Sequence, residues 1–455
     1  MRSAHVEVID TPTLGDRSYL VHDGSVAFVV DPQRDIDRVL AVLDRHGVRL
    51  TDVFETHLHN DYLTGGLALA RETRAAYHVN GADQVSFDRI PVGDGDQVEI
   101  GGLRVTALAT PGHTFTHLSY VLAGPDGAAT AIFSGGSLLF GATGRPDLLG
   151  ERHTGELARL QHASARRLAE LPDDVDLFPT HGFGSFCSAS QSDVDQSTIG
   201  RERRTNSVLQ KDVDAWVREL LGGLDVWPAY YVHMSPANAA GPSAPTLEPP
   251  ATADAAELRR RLDAGEWVVD LRQRKAFAAG HAPRTLNFGL DGSFATYLGW
   301  LLPWGAPVTL LGESPDDIAE AQRELVRIGI DRPAAAATGR PEQWTREPVE
   351  SFGIGTFADL AGVRRHRRVV VLDVRRGQEF DTAHIEGAVN IPLHELVGRV
   401  GEVPDGEVWV HCQAGYRASI AASVLAAAGR PVVTVDDDFD KASESGLPVT
   451  GAGVS

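Results

Sequence analysis

Apolar positions in the first half of the chain fall into short runs separated by polar clusters. Val26–Val30 is a continuous apolar run ending at Asp31-Pro32, the pattern of a strand buried on both faces. Ile36–Leu43 repeats its apolar residues at helical spacing, and Val53–Thr56 predicts a strand running into His57. A helix is expected over Leu67–Ala75, behind the Gly65-Gly66 turn. Further strands at Val105–Leu108, Ala131–Phe133 and Asp176–Phe178 lead to His113, to Ser134-Gly135-Gly136 and to His181. Each polar cluster therefore follows a strand, in a loop, where α/β enzymes place their chemistry.

The pattern changes over 236–253, where Pro and Ala dominate. This stretch predicts a linker after a first domain covering 1–235. Beyond it, Asp270, Arg272, Phe277, His281 and Asn287 recur as Asp373, Arg375, Phe380, His384 and Asn390 at one constant offset. Two α/β units of ordinary domain size are expected, over 254–348 and 355–450. In the second, Val408–His411 predicts a strand, followed by Cys412-Gln413-Ala414-Gly415-Tyr416-Arg417 and an Ala-rich helix. In the first, the equivalent strand is Val308–Leu311, with Gly312 at the cysteine position and Asp317 at the arginine position.

Composition narrows the classes of function. A chain of 455 residues exceeds what one core supports, so several domains are expected. Apolar content of 42% and charged content of 23% are those of a soluble globular protein. A net charge of -20 argues against nucleic acid or an anionic membrane as partner. Lysine occurs only at 211, 275 and 441, so an anionic substrate would have to be met by locally placed arginines. No apolar run approaches the ~20 residues that span a bilayer, and the first residues, with Glu7 and Asp10, lack a signal-peptide pattern. Cys187 and Cys412 fall in different domains, which argues against a structural disulfide and for a cytoplasmic location.

The cysteine loop carries the first candidate chemistry. A thiolate at a strand end that opens a helix is stabilised by loop amides and by the helix N-terminus. Arg417 would add a fixed cation for an anionic sulfur donor; the alternative is a buried, inert Cys412. With Asp373-Val374-Arg375 and His384-Ile385-Glu386-Gly387-Ala388 beside it, the repeated unit resembles a rhodanese domain. The resemblance implies that Cys412 carries sulfane sulfur and that Gln413, Ala414, Gly415, Tyr416 and Arg417 form its loop. It also implies substrate contacts from Asp373 and Arg375. The first unit, without the cysteine and with an acidic loop at 312–317, is expected to be structural or to dock a partner.

The second candidate chemistry is a metal. His57-Leu58-His59-Asn60-Asp61-Tyr62 and Thr110-Pro111-Gly112-His113 present three histidines, and neutral imidazole is the commonest ligand for zinc and iron. Together with Gly144-Arg145-Pro146-Asp147, Pro179-Thr180-His181-Gly182 and the run 197–203, these loops resemble the metallo-β-lactamase superfamily. The whole chain is similar to fusions of a persulfide dioxygenase with rhodanese units. The implied architecture is an α/β chain: an N-terminal αββα sandwich followed by two rhodanese-like domains.

In the superfamily's dinuclear hydrolases, the first metal takes the positions of His57, His59 and His113, and the second those of Asp61, Tyr62 and His181. An aspartate at the position of Gly136 bridges the two. Tyr62 in place of histidine and Gly136 in place of aspartate argue against a two-metal hydrolase. The expectation is one Fe(II), with zinc as alternative, on His57, His59 and His113, or a degenerate site without metal. Asp61, Tyr62, His181 and Asp147 are expected around it as supporting groups or weak ligands, Arg145 as a contact to an anionic thiol carrier, and Cys187 as a small packed residue. The implied activity is O2-dependent oxidation of a low-molecular-weight thiol persulfide to sulfite. Cys412 would pass sulfane sulfur among the persulfide, thiosulfate and sulfite. Three alternatives stay open: a sulfurtransferase only, a thioester hydrolase of the glyoxalase II type, and a non-catalytic persulfide-binding module. A homo-oligomer is compatible with the sequence.

Overall fold

A computed structural model describes residues 4–124, 126–189 and 194–453. The chain divides into two compact units, Met1–Thr246 with Leu325–Gly329, and Leu247–Glu324 with Ile330–Ser455.

The first unit contains two six-stranded sheets. One runs in chain order from His5–Thr11 through Asp16–His22, Val26–Val30, Arg49–Phe54 and Ala76–Asn80 to Ile90–Val92. The other is ordered Ser197–Thr198, Asp176–Pro179, Ala129–Gly135, Leu118–Ala123, Leu103–Ala109, Gln97–Ile100. Strand alternation explains the continuous apolar run at 26–30. Phe28 and Val30 join the cluster between the sheets with Phe54, Tyr120 and Phe133. Ala27 and Val29 join the opposite cluster with Val39, Leu43, Leu67 and Leu69 of the helices Asp37–His46 and Gly66–Thr73. Ala158, Ala165 and Leu168 of the helix Glu151–Leu168 cover the far face of the second sheet. The layering is therefore helix, sheet, sheet, helix, and strand ends deliver Thr56, Thr110 and Thr180 to one rim just before His57, Pro111-Gly112-His113 and His181.

The second unit repeats one design. Its four-stranded parallel sheet is ordered Leu286–Asn287, Trp267–Asp270, Val308–Gly312, Ala335–Thr338. The same order recurs as Val389–Asn390, Val370–Asp373, Val408–His411, Val432–Val435, with Gly353–Gly355 added at the edge. Register places Leu311 opposite Asp270 and His411 opposite Asp373, so the following residues, Gly312 and Cys412, are equivalent. The repeated residues also make repeated contacts. Phe277 stacks on His281 at 4.1 Å, and Phe380 on His384 at 3.8 Å.

The expected linker is shorter than 236–253. Tyr231–Ala240 is a helix, and its Asn238 is buried because it holds the loop after His59. At the other end, the Ala253 N–H already donates to the Ala336 carbonyl at 2.8 Å. Among the described residues, no helix is long and apolar enough to cross a membrane.

Candidate functional site

Three histidines converge on the rim of the sandwich. One ring nitrogen from each of His57, His113 and His181 lies within 4.8 Å of the others. Each ring is turned by a hydrogen bond at Nδ1. The His113 Nδ1–H donates to the Arg145 carbonyl at 2.8 Å, and the His181 Nδ1–H to Asp16 Oδ1 at 2.9 Å. Thr56 Oγ1 donates to Asp31 Oδ2, so at 2.8 Å it accepts from the His57 Nδ1–H. The three Nε2 atoms are left facing inward. Those of His57 and His181 are 3.4 Å apart, and that of His113 is buried without a hydrogen-bond partner. Fixing a metal-binding imidazole through its other nitrogen is the arrangement metal centres use. The donor set therefore fits a single divalent ion.

The electrostatics agree. Burial, followed by the charges of neighbouring histidines, pushes His57 well below its ordinary value, and burial and His181 push His113 down to about 3. Both rings are thus neutral donors. Burial would also lower His181, but the charge of Asp61 and the hydrogen bond to Asp16 outweigh it and push it up to about 10. These carboxylates favour positive charge on the His181 ring, which a proton or a cation on Nε2 supplies equally.

This cluster differs from the expected His57, His59, His113 set. His59 Nε2 is turned to Asp31 and Glu55, 3.3 Å from each, and it contacts the Tyr62 hydroxyl at 3.1 Å. Burial opposes a charge there, yet Asp31 and Glu55 push His59 up to about 9. His181, expected as a supporting group or weak ligand, joins the candidate cluster because Asp16 and Asp61 grip its Nδ1 at 2.9 and 3.1 Å. Asp61 Oδ1 and His59 Nδ1 are buried without partners beside it. The group His59, Asp61, His181 shares His181 with the first group, so the two do not describe a pair of independently held ions.

Gly136 explains the absent bridge. A Cβ there would stand 2.4 Å from His113 Cδ2, so the imidazole occupies the space a side chain would need. Arg145 and Asp147, expected at the thiol carrier and the metal, form a partly buried ion pair at 2.7 Å, and the Arg145 guanidinium also donates to the Phe186 and Asp225 carbonyls. Their side chains tie loops together, while the Arg145 carbonyl accepts from the His113 Nδ1–H. Cys187 sits against Asp61, and burial, then the Asp61 charge, raises its thiol well above the ordinary value. Residues unmarked in the sequence complete the site: Asp16, Asp31, Glu55 and His117. His117 Nε2 accepts from the Gly136 N–H at 2.9 Å. The sequence cue among them was the Asp31-Pro32 step that ends the apolar run Val26–Val30, and the structure holds Asp31 at φ 51° there.

In the second unit Cys412 is buried, and the Gly415 N–H donates to its Sγ at 3.2 Å. Gly415, at φ 90°, opens the helix Tyr416–Ala427, as expected for a thiol at a helix start. Arg417 is bidentate to Glu379 at 2.7 Å, rather than aimed at the sulfur, and Arg376 Nε also reaches Glu379 at 3.0 Å. Gln413 is half-buried, its carbonyl accepting from the Phe439 N–H at 2.8 Å, and Ala414 is exposed. The cysteine-free repeat contributes a wall: Tyr297 and Trp300 line a small cavity with Arg376, His394 and Arg417, and the Tyr416 hydroxyl donates to the Gly289 carbonyl at 2.7 Å.

Asp373 and Arg375, expected at the substrate, are buried and paired at 2.6 Å, and Arg375 stacks over Phe439. Asp270 and Arg272 pair at the same 2.6 Å in the repeat without a cysteine, so the pair serves the fold. There the loop is filled by its own carboxylate, Asp317 Oδ2, which accepts from the Glu313 and Ser314 N–H groups at 2.8 and 2.9 Å.

An αββα sandwich with rim histidines that could hold a metal, joined to a thiol loop on a parallel sheet, is an architecture of enzyme-type families. The Metallo-beta-lactamase superfamily pattern matches residues 14–181, and the Rhodanese-like domain pattern matches 357–445. A hydroxyacylglutathione hydrolase of Chromohalobacter salexigens is 32% identical over 234 residues, 45% of this chain and 87% of that protein. That of Methylobacillus flagellatus is 34% identical over 167 residues, 36% of this chain and 61% of that protein. Among solved structures, a metallo-beta-lactamase from Staphylococcus aureus subsp. aureus COL aligns with TM-score 0.66 and 26% identity, covering 74% of this chain and all 100% of that one. ETHE1 from Myxococcus xanthus aligns with TM-score 0.45 and 28% identity over 52% of this chain and 98% of that one. The chain belongs to the metallo-beta-lactamase superfamily and carries a C-terminal rhodanese-like domain.

Proposed function

We propose that this protein oxidises a low-molecular-weight thiol persulfide to sulfite at one metal ion held by His57, His113 and His181, and carries sulfane sulfur on Cys412. The observation that carries this reading is the donor set: three inward Nε2 atoms suit a single ion, while the second-metal position has Tyr62 bonded to His59 and Gly136 filled by His113. Two-metal activation of water needs both ions held. Iron(II) bound there would activate O2 toward sulfur, the four electrons that reduce O2 coming from the sulfane sulfur itself.

The residues of the chain do the rest. Asp16, the Arg145 carbonyl and Thr56 orient the three imidazoles. Asn238 fixes the loop from His59 to Thr64. One persulfide anion, one O2 and one water give a thiolate, sulfite and two protons. On the second unit, Cys412 thiolate attacks the outer sulfur of a donor, releases the donor's remainder, and then yields that sulfur to an acceptor such as sulfite, giving thiosulfate. Joining both activities in one chain keeps the product of one near the other at high effective concentration.

The hydroxyacylglutathione hydrolase names of the relatives favour a second reading, a glutathione thioester hydrolase. A product assay decides between them. Iron-loaded protein given glutathione persulfide and O2 is expected to form sulfite, with little hydrolysis of a hydroxyacylglutathione thioester. Thioester turnover without sulfite would overturn the proposal.

A further inference from the structure

A second set of ligand-type side chains lies on the first sheet of the N-terminal unit, apart from the rim histidines. Strand alternation assembles it. Leu20 and Ile9 belong to the helix-side cluster, so His22, two residues from Leu20, and Glu7, two from Ile9, face the same side. Register places His5 directly opposite His22. His46, the last residue of the helix Asp37–His46, reaches over that face from above.

The geometry is that of a built site. One donor atom each from Glu7, His22 and His46 lies within 4.8 Å of the others. Glu7 Oε1 is 3.3 Å from His46 Nε2. The His22 ring lies 4.7 Å from that of His46 and 5.3 Å from that of His5. His22 is only 6% exposed, and its Nε2 has no hydrogen-bond partner. Glu7 and His46 are about a third exposed, at 33% and 28% of their side chains, so an ion has a path from solvent. Burial, then the charges of His46 and His5, lowers His22, which keeps it a neutral donor. The C-terminal end of the helix points its negative dipole toward the cluster, which favours a cation.

We propose that Glu7, His22 and His46 form a second, independent site for a divalent transition ion of the zinc type, with the fourth position open to water or His5. Two imidazoles and a carboxylate are a zinc-type ligand set. Binding at His22 Nε2 places the ring proton on Nδ1, so the 3.2 Å contact from the Gly24 N–H to Nδ1 must open. The ion would tie the edge strand His5–Thr11 to the helix Asp37–His46, and binding to the folded state alone raises stability.

The test uses the full chain without an affinity tag, titrated with zinc in competition with a chromophoric chelator, alongside thermal melts. His46→Ala, at a solvent-reached helix end, should take up one zinc equivalent fewer than wild type and lose the part of the zinc-induced rise in Tm that this site supplies. Glu7→Gln should weaken the same equivalent by at least about tenfold, the loss that a supporting residue alone produces. Zinc stoichiometry and melting shifts equal in wild type and both variants would overturn the proposal.

Discussion

Arg417 meets Glu379 through two parallel contacts, Nη1 to Oε2 and Nη2 to Oε1, each 2.7 Å long. The cation beside the Cys412 loop is thereby already paired with an anion of its own domain. Burial would raise Glu379, but the hydrogen bonds and charge of Arg417, then Arg376, hold it at about 2. A depressed carboxylate stabilises the fold above its unfolded value and loses that contribution as pH falls through the folded one. Glu379→Gln should therefore cost about 2 kcal/mol at neutral pH. The gap to wild type should close between pH 4.5 and pH 2, as read by chemical denaturation across that window.

Gly415 tests the thiol loop. Its φ is 90°, and a Cβ there would stand 2.2 Å from Asp436 Oδ1. Gly415→Ala should displace the amide that reaches Cys412 Sγ, at a cost of about 1–3 kcal/mol in stability. Sulfur transfer from thiosulfate to cyanide should fall at least about tenfold, equivalent to about 1.4 kcal/mol on the barrier, while oxygen uptake on a persulfide stays unchanged.

Much of this was legible in the sequence, for physical reasons. His57, His113 and Cys412 sit in short loops directly after strands, so local pattern marks them. The duplication showed because Asp270, Phe277 and His281 recur at a fixed distance, and the two sheets share one strand order. The choice between His59 and His181 was not legible. It depends on which carboxylates meet each ring: Asp31 and Glu55 at His59, Asp16 and Asp61 at His181. Asp16 is far from His181 in sequence, opens a strand of the other sheet, and reaches it only through the packing of the two sheets. Asn238 was hidden for a similar reason, since a Pro- and Ala-rich segment gives no sign that one amide closes a distant loop.

Replacing the missing bridge should not restore a second metal. Gly136→Asp places its Cβ within 2.4 Å of His113 Cδ2. His113 must move, so the variant should bind metal more weakly than wild type and show no gain in thioester hydrolysis. Metal content after dialysis and a thioester assay check both parts.

Asn238→Ala removes three buried hydrogen bonds, to the His59 carbonyl at 2.9 Å, to the Tyr62 carbonyl at 2.8 Å and from the Thr64 N–H at 2.9 Å. Leaving these backbone groups unpaired should cost about 3 kcal/mol, measured by denaturant unfolding of the N-terminal transition.

The most direct test of the central claim is oxygen uptake by anaerobically iron-loaded protein on adding glutathione persulfide, compared between wild type and His181→Ala, with bound iron measured in each. Wild type should consume oxygen, and His181→Ala should lose both the iron and the uptake, as His113→Ala should. A His181→Ala protein that keeps wild-type iron and wild-type oxygen uptake would contradict the three-histidine centre.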